Sequence, residues 1–497
     1  MVTQQRDHAT LKGRFCMLTL INANRMTPLI APIGLDYVAG AARKAGIKVD
    51  LLDLALVDDP AWVLEDYFAE ANPPLVGITF RNVDDCFWPS ARWFVPSLQE
   101  IVKTVRRLSD APIVLGGVGF SVFAKAIVER VGADFGIHGD GEEAIVLLCR
   151  EIAGRGHFEK VPGLVWRQAG QLSANPPAWP EHLSLPTARE TVDNLAYFQS
   201  GGQGAVETKR GCDRRCIYCA DPLAKGPHVR RRDPREVADE FAVLFGQGVD
   251  VLHLADAEFN VPREHAVDLC EELARRGLGE KVRWYAYLAV QPFDAALADA
   301  MKRAGCVGIN FTADAAAEAM LATYRQPHRR EDLATAVRLC RERGIAVMLD
   351  LMLGGPGETP ETAADTIGFV KQIDPDCAGA ALGIRIYPGT AMHERVMAEG
   401  PAETNANLRR RYDGPVDFLR PNFYVARTLG ERPATLVRDL IGGDPRFFEP
   451  AEEPAAGVAE AAAGSYNYSD NTPLVRAIRK GERGAYWHIL RRMRSKA

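Results

Sequence analysis

Apolar runs alternate with helical patterns along the first 150 residues. Five of these runs are short and continuous enough to be strands buried on both faces of a parallel sheet: residues 15–21, 48–54, 75–80, 112–115 and 134–137. Amphipathic stretches such as 34–46 and 96–109 lie between them and predict helices. The pattern predicts a doubly wound, Rossmann-like α/β domain over residues 13–155, which would bind a ligand at the carboxyl ends of its strands.

A second strand–helix series follows from residue 201 to about 400. Its predicted strands are 205–208, 250–254, 282–287, 307–311, 346–351 and 380–386, and its helices include 234–247, 294–304, 315–324 and 331–343. Six strand–helix units predict a partial (βα)6 barrel with its site at the carboxyl face of the strands. The Pro-rich residues 156–200 are predicted to be a linker.

Residues 401–497 are predicted to form a C-terminal capping region. Within it, residues 449–464 are rich in Ala, Glu and Pro, a composition typical of a mobile linker. The polar, aromatic segment from Tyr466 to Asn471 could cap a substrate pocket at the barrel mouth or simply dock the tail. The pattern near 483–494 predicts an amphipathic helix.

Composition excludes several classes of partner. The net charge is −5 and the isoelectric point about 6.1, which gives no reason to expect nucleic acid or an anionic membrane. No apolar stretch approaches the roughly 20 residues that span a bilayer, and the N-terminus lacks the apolar core of a secretion signal. We therefore expect a cytoplasmic protein, and a monomer.

Three of the ten cysteines form a tight cluster. Cys212, Cys216 and Cys219 have C-x3-C-x2-C spacing on a predicted loop, whereas the other seven are scattered. In a reducing compartment this spacing indicates metal ligation. Zinc would require a fourth Cys or His, and His228 is the only near candidate. Three thiolates instead suit a four-iron cluster with one iron left open.

The cysteine motif, with aromatic Tyr218 before its last cysteine, resembles the signature of the radical S-adenosylmethionine (SAM) superfamily. The resemblance implies a [4Fe–4S] cluster on the three cysteines and SAM chelating the fourth iron. Tyr218 would pack on the SAM adenine. Other residues implied to face SAM or substrate are Asp256, Glu258, Thr312, Asp314, Gly354 and Gly355. Arg385, a pocket candidate by position, is also predicted to bind a cofactor.

A doubly wound domain ahead of such a barrel resembles the cobalamin-dependent members of this superfamily. The resemblance includes Pro32-Ile33-Gly34-Leu35 and the glycine-bearing strand ends. It implies that cobalamin is held by loop residues Asn24, Arg81, Asn82, Gly116, Gly117, Gly119, Gly139, Gly141 and Glu142. The alternatives are a structural domain or a nucleotide site, although no G-x-G-x-x-G follows the first strand.

Arg81 is the candidate for the lower face of cobalt. The Asp-x-His-x-x-Gly loop, from which many cobalamin domains supply an axial histidine, is absent from the sequence. A guanidinium has no lone pair to donate and would disfavour a lower ligand. A similar arrangement is known in methylases of the tryptophan 2-C-methyltransferase type. The alternative role for Arg81 is a salt bridge to Asp84 or Asp85.

The resemblance implies a methyltransferase that moves a methyl group from SAM, via methylcobalamin, to a carbon of a small-molecule or peptide-derived substrate. Carbon 2 of tryptophan or indole is one candidate acceptor, and the catalytic candidates are Arg81, Tyr218 and Glu258. An external electron donor of the flavodoxin or ferredoxin type would be required. The alternatives are a cobalamin-dependent rearrangement or cyclisation without methyl transfer, and a non-catalytic sensor.

Overall fold

The computed structural model describes residues 17–168, 170–452 and 467–495, which group into two compact units. Cys16, His8, Tyr466 and most of the predicted 449–464 linker therefore lie outside the described residues. The first unit comprises residues 1–25, 32–83 and 94–193, and the second comprises residues 26–31, 84–93 and 194–497.

The first unit is built on a seven-stranded sheet of order β2-β1-β3-β4-β5-β6-β7. Its strands are β1 Met17–Asn22, β2 Lys48–Asp53, β3 Val76–Thr79, β4 Ile113–Gly116, β5 Phe135–Ile137, β6 Leu164–Gln168 and β7 Gln171–Ala174. Its helices are α1 Ile33–Lys44, α2 Pro60–Glu70, α3 Val95–Leu108, α4 Val118–Val122, α5 Ala124–Val131 and α6 Glu142–Ala153. β1–β5 are parallel, and the predicted doubly wound fold is confirmed.

The predicted linker is corrected by the structure in its first part. β6 pairs antiparallel with β5, and β7 pairs antiparallel with β6, so residues 164–174 extend the sheet. Leu164, Val165 and Trp166 are buried there. Among the described residues of this hairpin only these three are buried, so its apolar run is short. The prolines that follow made this segment look like a linker in the sequence.

The second unit is built on a parallel sheet of order β8-β11-β12-β13-β14-β15-β19. Its strands are β8 Gly204–Val206, β11 Val251–Leu254, β12 Arg283–Leu288, β13 Cys306–Asp314, β14 Ala346–Leu353, β15 Cys377–Leu382 and β19 Phe447–Phe448. Between β8 and β11 in the chain, β9 Lys209–Arg210 and β10 Arg230–Arg231 form a separate antiparallel pair. The first six strands follow chain order, as in the predicted partial barrel. β19 adds a seventh strand from the tail, next to β15.

Helices pack around this sheet and at its ends. They are α7 Asn194–Gly201, α8 Asp221–Lys225, α9 Pro234–Gly246, α10 Arg263–Arg275, α11 Ala295–Arg303, α12 Glu318–Tyr324, α13 Arg330–Glu342, α14 Pro360–Ile373, α15 Ala391–Ala398, α16 Pro433–Ile441, α17 Thr472–Arg479 and α18 Tyr486–Arg494. One strand face, with Leu252, Trp284, Ile309 and Leu349, packs with these helices in the core, and alternate residues such as His253, Asn310 and Asp350 point to the other face.

The C-terminal residues contribute a small sheet and a helix to the second unit. β16 Ile384–Arg385, β18 Asn422–Tyr424 and β17 Leu408–Arg410 form a separate antiparallel sheet. α18 lies at the amino ends of the strands, where the His488 ring bonds the Tyr285 hydroxyl at 2.9 Å and Trp487 packs near Gly308. No helix in the described part of the chain is long and apolar enough to cross a bilayer.

Candidate functional site

The cysteine loop lies between β9 and α8. Gly211, immediately before it, has φ +88°, and a Cβ there would lie 2.1 Å from the His228 carbonyl oxygen. Only glycine allows this approach. The Cys212 N–H donates to the Gly226 carbonyl at 3.1 Å, which fixes the start of the loop against the chain before β10.

Polar groups lie near each of the three cysteine sulfurs. The backbone N–H groups of Arg214 and Asp221 act to lower the pKa of Cys212 and Cys219, and the Gln326 side chain donates to Cys216. Burial raises the pKa of the Cys212 thiol to about 11 and that of Cys216 to about 12. A bound metal centre would favour the thiolate forms.

The donor set fits a cluster better than a zinc ion. Within the described ranges, no three Cys, His, Asp or Glu side chains converge to hold a single metal ion. His228, the candidate fourth zinc ligand, is exposed and approaches the loop through its carbonyl oxygen. Three sulfurs on one loop with their own N–H donors fit three corners of a [4Fe–4S] cluster.

Tyr218 is fixed by a hydrogen bond from its hydroxyl group and by an aromatic contact of its ring. Its hydroxyl donates to Asp314 Oδ2 at 2.6 Å, and its ring meets Tyr324 edge-on with centroids 6.0 Å apart. Burial raises the pKa of Asp314 to about 7, although the Tyr218 and Gln326 donors oppose that shift. Asp314 itself has φ +57° at the end of β13. The structure therefore brings two predicted SAM-facing residues, Tyr218 and Asp314, into contact.

Glu258 and Thr312 form a second contact between predicted site residues. The Thr312 hydroxyl donates to Glu258 Oε1 at 2.8 Å, whereas Oε2 is buried with no hydrogen-bond partner among the described residues. Burial raises the pKa of Glu258 to about 8, and this carboxyl group interacts electrostatically with the Cys212 and Cys216 thiols. One of its oxygens is thus available for a ligand.

Asp256, predicted to face SAM, is instead bound by neighbouring protein groups. Its carboxylate accepts from the Lys209 ammonium at 2.9 Å and from the Thr208 N–H at 2.7 Å, and the pair is buried. Burial would raise the pKa of Asp256, but the Lys209 ammonium and Thr208 hold it below its usual value. Arg210, which precedes the cysteine loop, pairs with Glu207 at 2.7 Å. Asp256 is thus a structural anchor for β9.

The glycine-rich turn after β14 is organised by Glu358. This fully buried carboxylate accepts from the Gly354 and Gly355 N–H groups. A Cβ on Gly355 would lie 2.1 Å from the Tyr324 hydroxyl oxygen, and that hydroxyl donates to the Met352 carbonyl at 2.8 Å. The turn thus buttresses Tyr324, which in turn supports Tyr218.

In the first unit, the strand order β2-β1-β3-β4-β5 has its switch point between β1 and β3. Asn24 follows β1, and Arg81 and Asn82 follow β3, so the topology brings these predicted residues to the expected ligand edge. Gly116, at the end of β4, has open space where a Cβ would be.

The other predicted cobalamin-binding glycines mostly pack against protein. A Cβ added at Gly117 would lie 2.8 Å from the Phe80 carbonyl oxygen, and one added at Gly119 would lie 2.8 Å from the Arg81 carbonyl oxygen. Gly139 packs on Trp179, and Gly141 lies near Val38 at the start of α6, which begins at Glu142. Gly117 and Gly119 therefore act indirectly, by holding the segment that carries Arg81.

Arg81 has an ordered backbone and an exposed side chain. Its carbonyl accepts from the Gly119 N–H at 2.9 Å, and its Nη1 donates to Asn82 Oδ1 at 2.7 Å. The two carboxylates considered as its partners are bound by other groups: Asp84 by Arg385 at 2.8 Å, and Asp85 by Asn467 at 2.9 Å.

Arg385 was predicted to bind a cofactor, and the structure corrects this. Its Nε donates to Asp84, its Nη1 to the Ile386 carbonyl at 2.6 Å and its Nη2 to the Phe418 carbonyl at 3.2 Å. The ion pair is buried, so its donors serve the protein interior. The neighbouring Tyr387 hydroxyl contacts the Cys86 thiol at 2.8 Å.

The predictions missed Gln326, Tyr324 and Glu358. Glu358 lies three residues after Gly355 and is the only acid of that turn, so it could have been found from the sequence. Gln326 and Tyr324 carry no motif, because their importance comes from contacts with Cys216 and Tyr218 that lie about a hundred residues away in sequence.

The chain resembles known proteins along nearly its whole length. The profile of the Radical SAM superfamily matches residues 206–370, and that of the B12 binding domain matches residues 21–148. The tryptophan 2-C-methyltransferase of Streptomyces laurentii is 31% identical over 570 aligned positions, which cover 95% of each chain.

Two solved structures of the radical SAM methyltransferase TsrM from Kitasatospora setae are also similar. One, with tryptophan substrate and a SAM analogue bound, superposes with a TM-score of 0.88 at 31% identity, over 97% of this chain and 98% of that one. The other, with cobalamin and a [4Fe–4S] cluster bound, superposes with a TM-score of 0.87 at 30% identity over the same shares.

Proposed function

We propose that this chain, which belongs to the cobalamin-dependent radical SAM methyltransferases, transfers a methyl group from SAM to carbon 2 of the indole ring of tryptophan or a tryptophan-derived substrate. The observation that carries the proposal is the similarity to tryptophan-methylating relatives over 95% of the chain or more, in both units. Rearrangement without methyl transfer, the alternative from the sequence, has no comparable support.

The residues that would hold the iron–sulfur cluster are Cys212, Cys216 and Cys219. Glu258 Oε2 is the protein oxygen best placed to meet the fourth iron or the SAM bound to it, because it is buried, lacks a hydrogen-bond partner among the described residues and lies beside the cysteines. Thr312 holds the other oxygen and so fixes the direction of the carboxylate.

Tyr218 would support the SAM adenine. Asp314 orients its hydroxyl and Tyr324 its ring, so the tyrosine is rigid before SAM binds. A rigid aromatic surface binds a planar group without paying for its own ordering. Gly354 and Gly355, whose N–H groups are engaged by Glu358, keep this support in place.

Cobalamin, when bound, supplies a cobalt centre that accepts the methyl group of SAM and passes it on. We propose that Asn24, Asn82 and Gly116 line its site at the β1–β3 switch. Arg81 would lie beneath the metal, where its permanent charge cannot ligate cobalt. The ring carbon of an indole is itself a nucleophile, so this methylation needs no abstraction of a substrate hydrogen atom.

Reduction of cobalamin requires electrons from outside the chain. We propose a flavodoxin- or ferredoxin-type donor, in keeping with the low potential that this chemistry demands. A chemical reductant should replace the protein donor without changing the product.

The test is product analysis after incubation of the reconstituted, reduced enzyme with SAM and tryptophan. Parallel reactions replace tryptophan with other amino acids or with a tryptophan-containing peptide. The proposal predicts 2-methyltryptophan, or the methylated peptide, together with demethylated SAM and without matching amounts of 5′-deoxyadenosine. Methylation of a different ring position or a different amino acid would contradict the proposed substrate. Matching 5′-deoxyadenosine would contradict the polar route.

A further inference from the structure

The three cysteine sulfurs differ in the polar groups that act on them. The backbone N–H groups two residues further along, those of Arg214 and Asp221, favour the thiolates of Cys212 and Cys219. Cys216 accepts from the Gln326 side chain, with Nε2 and Sγ 3.4 Å apart. A backbone donor is independent of residue type, whereas a side-chain donor is set by the sequence.

Gln326 is held in place by the end of α12. Arg325 has φ +62°, a left-handed conformation that ends the helix, and the Gln326 N–H donates to the Leu321 carbonyl at 2.9 Å. The side chain is half-buried. Its position is therefore set by the helix terminus before any cluster is bound.

The direction of the Gln326 amide is also determined. Its Nε2 donates to Asp314 Oδ2 as well as to the Cys216 sulfur, and it lies 3.4 Å from the Tyr218 hydroxyl oxygen. A flipped amide would place its oxygen against a carboxylate and a sulfur. The two N–H groups of one nitrogen thus join the sulfur to the carboxylate that orients Tyr218.

We infer that Gln326 is a positioning residue that raises the reduction potential of the [4Fe–4S] cluster through its hydrogen bond to Cys216 Sγ. The inference rests on the cluster that the proposed function requires. Reduction adds one electron, and part of the new negative charge resides on the cysteine sulfurs. An N–H donor stabilises that charge and therefore favours the reduced form.

The same contact ties the cluster loop to the SAM-facing tyrosine. Gln326 bonds Asp314, and Asp314 accepts from the Tyr218 hydroxyl at 2.6 Å. Loss of the amide would remove a donor from the sulfur and one from the carboxylate. Gln326 thus affects both the redox centre and the proposed adenine support, which lie on the same short loop.

The test is the midpoint potential of the cluster in the reconstituted full-length protein, measured without SAM or substrate by a redox titration followed by electron paramagnetic resonance. Gln326→Leu keeps nearly the same volume and removes both donors, so its midpoint should shift to more negative potential with iron content unchanged. Gln247→Leu is the matched control: that half-buried amide accepts from the Asn194 side chain at 3.1 Å at the end of α9, and its removal should leave the potential unchanged.

Gln326→Asn provides a second variant if the leucine variant does not assemble its cluster. The shorter side chain cannot reach the sulfur, so the same negative shift is expected. A wild-type midpoint in either variant with a full cluster would overturn the inference. Failure of the wild-type chain to bind a cluster would instead contradict the proposed function, and failure to methylate tryptophan would leave the potential measurement unaffected.

Discussion

Arg81 shows how one side chain can set the chemistry proposed for the first unit. It follows β3 at the switch point of the sheet, and its backbone is held by the Gly119 N–H. A guanidinium is protonated at any working pH and has no lone pair for a metal. Beneath cobalt it would disfavour a coordinated water and favour release of the methyl group to a nucleophile.

Replacing Arg81 should therefore slow methyl transfer more than it affects cobalamin binding. Arg81→Ala is expected to lower the single-turnover rate by about a hundredfold, with cobalamin stoichiometry nearly intact. Arg81→Lys keeps the charge but not the shape and should be intermediate. Arg107→Ala, which removes an exposed arginine paired with Glu65, is the control. Unfolding of Arg81→Ala, or turnover at the parent rate, would favour a structural role.

At the residue scale, the sequence identified candidate site residues better than it assigned their roles. The cysteine motif and Tyr218 are recognised by their local spacing. The structure brings them together with Asp314 and Glu258. Asp256 and Arg385 were predicted to face cofactors but are buried in ion pairs with Lys209 and Asp84. Their partners come from other elements, and no local pattern indicates which carboxylate a cation will meet.

At the scale of elements, the turn after β14 depends on a buried acid. Burial raises the pKa of Glu358 to about 7, although the Gly354 and Gly355 N–H donors oppose the shift. An acid whose pKa is raised on folding binds more protons in the folded state than in the unfolded one. Its contribution to stability is therefore lost as pH rises from the unfolded value of about 4.5 to the folded one.

Glu358→Gln should flatten this part of the pH dependence, because the amide oxygen can still accept from both glycines but does not titrate. Glu358→Ala should destabilise the protein by about 1–3 kcal/mol, since two buried N–H groups lose their acceptor. Urea unfolding below and above the folded pKa measures both effects. Glu361→Gln, an exposed neighbour on α14, is the control. Equal pH dependence in wild type and Glu358→Gln would contradict the account.

The strands and helices of both parallel sheets were largely predictable, because their apolar runs are continuous and bounded by glycine or proline. β13, predicted as 307–311, spans Cys306–Asp314 in the structure. Its extra residues include Thr312 and Asp314, whose polar side chains interrupt the apolar pattern. The two-residue strand β19 was missed, since Phe447–Phe448 is too short to show a period.

At the scale of the whole molecule, the chain passes between its two units more often than the sequence indicates. Residues 26–31 and 84–93 belong to the second unit although their neighbours form the first. Asp84 reaches Arg385, 301 residues away, and Trp88 packs on Phe423 with ring centroids 5.7 Å apart. Contacts at such separation leave no local pattern, so a simple two-domain division was the expectation.

The cobalamin unit should bind its ligand without a protein imidazole below cobalt. The Asp-x-His-x-x-Gly sequence that supplies an axial histidine in many cobalamin domains is absent from the chain, and Arg81 follows β3. Electron paramagnetic resonance of the cob(II)alamin form should therefore lack nitrogen superhyperfine splitting from an axial base. The Arg81→Ala variant should not gain such splitting either. A clear nitrogen triplet in the wild-type protein would contradict this arrangement.

The central claim is that a methyl group of SAM reaches a substrate carbon, and SAM carrying a CD3 group tests it most directly. With the reduced holoenzyme and tryptophan, the account predicts a product that carries the intact CD3 group on carbon 2 of the indole ring. The variant with Cys212, Cys216 and Cys219 all replaced by alanine should give none of this product, because it cannot hold the cluster. Consumption of labelled SAM by the wild-type enzyme with no CD3 on any product carbon would contradict the claim.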